Sequence, residues 1–105
     1  MIGSRTKAYS LARHLPADWS LRWADTVTAS SDADVLVVYD ATGPTVAAVL
    51  RRHPAVAVLG VVSSDEPVDV MVAVLEAGAE SCVREAAATV IVGYVLACHR
   101  RRVAA

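Results

Sequence analysis

Residues able to do chemistry follow three short apolar runs of this 105-residue chain. They carry carboxylate, hydroxyl and guanidinium groups, and they are Asp40, Ser63, Ser64, Asp65, Arg84 and Glu85. Each run predicts a strand, and the carboxyl ends of parallel strands form the edge of a sheet where α/β domains collect functional groups. No spacing in the chain predicts a Ser-His-Asp or Cys-His catalytic arrangement. We therefore expect a site at this edge, in a protein that is not an enzyme.

The metal-ligating residue types are too dispersed to predict a metal centre. The three histidines lie at the ends of different predicted helices: His14, His53 and His99. Cys82 and Cys98 form neither a metal-ligand spacing nor a disulfide framework, so we expect free thiols in a reducing cytoplasm. Asp65 and Glu66 precede Pro67, where acidic side chains favour the start of a helix. We expect them to cap that helix, and we expect no metal and no cofactor.

Hydrophobic periodicity predicts strands that alternate with helices. The predicted strands are 20–24, 34–40, 56–62 and 80–84, and the predicted helices are 5–15, 43–53, 67–77 and 86–102. The second run is apolar on both faces, so we expect the strand Val35–Tyr39 at the centre of a parallel sheet. Such alternation implies right-handed crossovers and helices on both faces of the sheet. The prediction is a single α/β domain, residues 1–105, with a doubly wound, flavodoxin-like parallel sheet.

Composition argues against several other classes of protein. Hydrophobic residues make up 55% of the chain, which is too apolar for a disordered protein. A net charge of −1 gives no field that would recruit nucleic acid or an anionic membrane. The longest apolar run, 86–98, is shorter than the roughly 18 residues of a membrane-spanning helix. The first ten residues have no secretory apolar region, so we expect a cytoplasmic protein.

The order of these elements resembles the receiver domain of a bacterial response regulator. The segment VLVVYDATGP, residues 35–44, is similar to the family's phosphoacceptor strand, with Asp40 at its end. HPAVAVLGVVSS, residues 53–64, resembles the family's fourth strand, with Ser63 at the switch hydroxyl. LEAGAESCV, residues 75–83, resembles the turn between the fourth helix and the fifth strand. Against the family pattern, the first strand and the second helix are truncated, and no effector domain follows.

The resemblance also implies a phosphorylation site, which this chain matches only in part. Asp40 takes the phosphoacceptor position. The acid pair that holds Mg²⁺ in the family falls at Gly3 and Ser4, which offer no carboxylate. The lysine falls at Glu85, whose charge repels phosphate, with Arg84 beside it. We therefore predict a pseudo-receiver whose Asp40 is not stably phosphorylated and instead accepts N–H groups of the following turn.

The last two helices carry more apolar residues than one core-facing stripe needs. We assign the core faces to Val68, Met71, Val72 and Leu75 on one helix, and to Ile91, Tyr94, Val95 and Cys98 on the other. The apolar residues left over are Val70, Val74, Val92 and Leu96. Receivers commonly dimerise through the corresponding face, as the resemblance implies. We expect these residues to form the interface of a symmetric homodimer, or the dock for a protein partner.

Three functions are compatible with this sequence. The first is a stand-alone receiver-like signalling module that acts through protein–protein interaction without phosphorylation. The second is a true receiver of a two-component system, phosphorylated on Asp40. The third is a small-molecule binder on a flavodoxin-like scaffold, although no glycine-rich phosphate loop follows the first strand.

Overall fold

Strands and helices alternate in the computed structural model, which describes residues 10–19 and 34–104. The strands are β1 (Val35–Tyr39), β2 (Ala57–Val62) and β3 (Ser81–Arg84). The helices are α1 (Gly43–Arg52), α2 (Val68–Glu76) and α3 (Ala88–Ala104). This confirms the predicted alternation after residue 34. The predicted strand at 20–24, the start of the first predicted helix and the shortened second helix lie outside the described residues.

The three strands form one parallel sheet in the order β1-β2-β3. Val37 pairs with Leu59, and Leu59 pairs with Ser81. Among the described strands, β2 lies between β1 and β3. The central position of β1 stays a prediction, because the strand predicted at 20–24 lies outside the described residues. Helices cover both faces of the sheet as far as β1, whose last four residues are buried.

The helices pack on opposite faces of this sheet because side chains alternate along each strand. Leu36 and Val38 point into a cluster that α1 and α2 cover. Val37 and Tyr39 point into the other cluster, which α3 covers. The coarse prediction of a parallel α/β sheet with helices on both faces is therefore confirmed.

The core-facing side of α2 is not the one that we predicted. Val74 is fully buried and packs directly over Gly60, where an added methyl group would lie 2.8 Å from Val74 Cγ1. Met71 lies beside it, partly buried. The residues assigned to the core are otherwise exposed: Val68, Val72 and Leu75. Two apolar stripes lie side by side on α2. The stripe that contains Val74 faces the sheet, because Gly60 has no side chain and leaves room for this valine.

The face that α3 buries is also rotated from the prediction. Its buried residues are Ile91, Val92, Val95 and Cys98, whereas Tyr94 is exposed. The rotation has a visible cause in the N-terminal segment 10–19. Leu11 is buried in the same cluster, and the Trp19 ring meets the His99 ring edge-on at a centroid distance of 4.8 Å. Because this segment covers one flank of α3, Val92 lies inside the core.

A glycine ends α2, as predicted. Gly78 has a φ of 114°, a left-handed conformation that side chains larger than hydrogen rarely adopt. An added methyl group there would also lie 2.6 Å from Leu50 Cδ1. The turn therefore needs glycine both for its backbone angle and for its contact with α1.

Candidate functional site

The predicted site residues come together at the carboxyl edge of the sheet. Because the strands are parallel and paired in register, Asp40 follows β1 and Ser63 follows β2 at the edge where Arg84 ends β3. Glu85 comes next along the chain. The edge thus carries two carboxylates, a hydroxyl and a guanidinium, and its chemistry depends on what each group contacts.

Asp40 is exposed, and its side chain has no hydrogen-bond partner among the described residues. Its φ of 52° places the backbone in the left-handed region. The prediction that it accepts N–H groups of the following turn is wrong. Thr42 does so instead, because its hydroxyl accepts from Thr45 N–H at 3.2 Å and caps α1. The hydroxyl is nearer in the chain to the free N–H groups of the first helical turn.

The Ser63 hydroxyl donates a hydrogen bond to Asp65 Oδ1. This bond, followed by a backbone hydrogen bond and the charge of Arg84, holds the pKa of the Asp65 carboxyl below its ordinary value. The prediction that Asp65 and Glu66 cap α2 is wrong, because Pro67 is the N-cap residue and no side chain bonds to that end. The Ser63 hydroxyl, which the resemblance places at the switch position, is therefore already bonded to Asp65 in the same loop.

Arg84 makes the most extensive polar contact at this edge, and the sequence did not predict it. Its Nη1 donates to the carbonyl oxygens of Glu66 at 2.7 Å, Ser64 at 3.2 Å and Ser63 at 3.5 Å. The guanidinium thus bridges β3 to the loop between β2 and α2. No sequence signal marks the acceptors, because every residue of a loop has a carbonyl.

Glu85 stands where the resemblance implies a lysine, and its charge acts on Tyr39. Burial raises the pKa of the Tyr39 hydroxyl, and the negative charge of Glu85 raises it further. The Glu85 N–H donates to Val62 O at 2.7 Å, which extends the pairing of β3 with β2 by one residue. An acid is therefore fixed at the edge of the sheet where a phosphoryl group would need a cation.

The remaining predicted parts of a phosphorylation site, Gly3 and Ser4, lie outside the described residues. Within 10–19 and 34–104, no group of three or more His, Cys, Asp or Glu side chains is arranged to hold a metal ion. In the same ranges, no helix is long and apolar enough to cross a membrane. Cys82 and Cys98 are both free, and burial raises the pKa of the Cys82 thiol.

The residues predicted to form an interface do not form an exposed surface. Val74 is 0% exposed and Val92 is 4% exposed, and Val70 and Leu96 are partly buried against the two core clusters. This part of the prediction is wrong. The sheet covers the stripe of α2 that holds Val74, and the segment 10–19 packs into the cluster that holds Val92 of α3.

An apolar surface is nevertheless exposed on the same two helices. Its members, which we call the docking face, are Val68, Val72 and Leu75 of α2 and Val90 and Tyr94 of α3. Val68 is 63% exposed and Tyr94 is 44% exposed, so these side chains are not marginal members of the core.

The two rows of the docking face lie on helices that cover opposite faces of the sheet. On α2 the opposite side is marked by Ala73, whose Cβ would lie 3.6 Å from a methyl group added at Gly43 of α1. The exposed row therefore lies on a different side of α2 from the contact with α1, and α2 itself packs against β3. On α3, Val90 and Tyr94 share a helical stripe with Arg101. Arg101 Nη2 bonds Ser81 Oγ of β3 at 2.8 Å, so this stripe borders the edge strand as well.

Comparison with known proteins found no match. No protein-family model, no curated protein and no solved structure matches this chain. The structure itself defines a class: an α/β domain with a parallel sheet, helices on both faces, and a polar carboxyl edge.

Proposed function

We propose that this chain is a receiver-like signalling module that acts through protein–protein interaction, without phosphorylation and without catalysis. The observation that carries the proposal is the docking face, in which α2 and α3 each expose an apolar row. Large apolar patches on a small domain mark interaction sites more often than chance exposure. The three parallel strands support a doubly wound, flavodoxin-like sheet, and the free cysteines are compatible with a reducing cytoplasm.

The contacts at the carboxyl edge support a site without phosphoryl chemistry. Phosphoryl transfer to a carboxylate needs cations that neutralise the developing charge. The guanidinium of Arg84 donates to loop carbonyls, the Ser63 hydroxyl donates to Asp65, and Glu85 adds a negative charge. A phosphoryl group on Asp40 would accept a hydrogen bond from Arg84 or Ser63 only after the present contacts of these side chains had been broken.

The occupant that we propose for the docking face is a second copy of the chain. A two-fold axis brings the same rows together from both subunits, so one surface serves both sides of the interface. Each large aliphatic side chain removed from water contributes roughly 1.5–3 kcal/mol. Each subunit contributes four aliphatic side chains and Tyr94, which are set against an association cost of about 4–15 kcal/mol. The net charge of −1 adds little repulsion between copies.

Light scattering and sedimentation equilibrium test this assembly. The wild-type chain should be a dimer at micromolar concentration, and Val72→Glu should be a folded monomer. Val72 is the middle residue of the exposed α2 row, and Glu is a good helix former, so the charge disturbs the interface rather than the helix. The matched control is Ala12→Glu, which adds the same charge at an exposed position of the N-terminal segment.

A monomeric wild-type chain at high micromolar concentration would rule out the homodimer. A dimer that survives Val72→Glu would place the interface elsewhere. Loss of dimer in Ala12→Glu as well would show that added charge alone dissociates it.

The second candidate function is a true receiver phosphorylated on Asp40. One observation favours it, namely that the Asp40 carboxylate is exposed and has no hydrogen-bond partner among the described residues. Intact mass after incubation with acetyl phosphate and Mg²⁺ is the test, and we expect no change in mass. An added phosphoryl group that disappears in Asp40→Asn would favour this second function over the first.

A further inference from the structure

The loop between β2 and α2 is held by one side chain from another strand. Arg84, the last residue of β3, donates from a single nitrogen to three carbonyl oxygens of residues 63–66, the closest at 2.7 Å. The loop also closes on itself, because Glu66 N–H donates to Ser63 O at 3.2 Å. A charged donor shared among three neighbouring acceptors fixes their relative positions more strongly than neutral hydrogen bonds do.

This loop sets where α2 begins. Residue 66 is followed by Pro67, whose φ of −61° is fixed by its ring, and then by Val68 at the first turn. Val68 is the first residue of the α2 row of the docking face. Arg84 donates side-chain hydrogen bonds from β3 to this loop, so β3 and the start of α2 are joined through its guanidinium.

We propose that Arg84 is a positioning residue, a permanent latch that fixes the α2 row of the docking face relative to β3. The latch needs no bound ligand, since the acceptors belong to the chain itself. The inference deepens the proposed function and rests on it for the role of the docking face.

Amide hydrogen exchange followed by NMR tests the latch in the full chain. Arg84→Gln removes the charge and most of the reach, so exchange of the Glu66 amide and of the first turn of α2 should become about tenfold faster. Amides of β1 and α1 should change less than twofold. Arg84→Lys should stay within about threefold of the wild type, because an ammonium keeps the positive charge and also places several N–H donors on one nitrogen.

The control is Arg52→Gln, which removes the same charge from an exposed end of α1 and should leave all these amides unchanged. Sedimentation equilibrium of the same variants adds a second readout. The dimer of Arg84→Gln should dissociate about tenfold more readily, and the dimer of Arg84→Lys should not.

The outcomes separate the latch from an ordinary stabilising contact. Faster exchange spread evenly over the sheet in Arg84→Gln would overturn the proposal, and so would an unchanged Glu66 amide. If Arg84→Gln does not fold, Arg84→Lys decides by the same amides, with a uniform increase counting against the latch. A wild-type chain that is monomeric refutes the proposed homodimer alone, because local exchange still reports whether Arg84 positions α2.

Discussion

At the scale of single residues, the backbone conformation of Asp40 restricts which residues can take its position. A φ of 52° costs an L-residue about 1–2 kcal/mol, and Asp and Asn adopt it more readily than most. We expect Asp40→Val to lower the free energy of unfolding by about 1–2 kcal/mol, since a β-branched side chain fits this region worst. Asp40→Asn should stay within about 0.5 kcal/mol of the wild type. Urea unfolding measures both, and equal effects would contradict a left-handed Asp40.

The hydroxyl of Ser63 should control the ionisation of Asp65. The pKa of Asp65 is lowered chiefly by this bond, so proton binding favours the unfolded state. The stabilisation is present above the unfolded pKa of about 4 and is lost as the pH falls through the lower folded value. Ser63→Ala should raise the pKa of Asp65 in a carbon-detected NMR titration. Ser64→Ala is the control, because Ser64 contributes only its backbone carbonyl to Arg84.

At the scale of elements, two glycines in different surroundings test how α2 and α3 pack. A methyl group at Gly60 would lie 2.8 Å from Val74 Cγ1 and 3.2 Å from Ala41 Cβ. Gly60→Ala should therefore cost about 1–3 kcal/mol of stability through overpacking. Gly93→Ala meets no atom within 4 Å and should gain up to about 1 kcal/mol as a helix-interior substitution. Thermal unfolding checks both, and a neutral Gly60→Ala would mean that α2 does not rest on β2.

The positions of α2 and α3 along the chain were predicted from the sequence, but the faces that they bury were not. Periodicity located α2 and α3 to within two residues at each end, because apolar spacing reports the type of element directly. It did not fix their rotation, because Val70 and Val74 adjoin another apolar stripe on α2. Gly60 held a usable signal, since a glycine inside a buried strand indicates a close neighbour.

The residues of the polar edge were also predicted only in part. Asp40 and Ser63 were predicted at the carboxyl ends of strands, because strand ends follow from the apolar runs. The contact of Arg84 was not, because its acceptors are backbone carbonyls whose position depends on the folded loop. The position of a polar residue at a strand end is thus predictable from the sequence, whereas its contacts depend on the conformation of the folded loop.

At the scale of the whole molecule, the N-terminal segment decides which apolar residues are exposed. Leu11 is 1% exposed, and Leu15 and Trp19 pack against the same cluster as α3. This segment buries Val92, so the apolar excess that remains is the docking face on the other side of the helix.

Truncation of the Leu11 side chain tests whether the N-terminal segment is part of the core and covers the flank of α3 at Val92. Leu11→Ala leaves a cavity in the cluster beneath α3 and should lower the free energy of unfolding by about 2–5 kcal/mol. Arg13→Ala, at an exposed neighbour, should change it by no more than about 0.5 kcal/mol. Self-association of folded Leu11→Ala should match the wild type, because the docking face lies on the β3 side of α3, away from Trp19 and His99. A stable Leu11→Ala would show that the segment is not part of the core, and the flank of α3 at Val92 would again become a surface open to a partner.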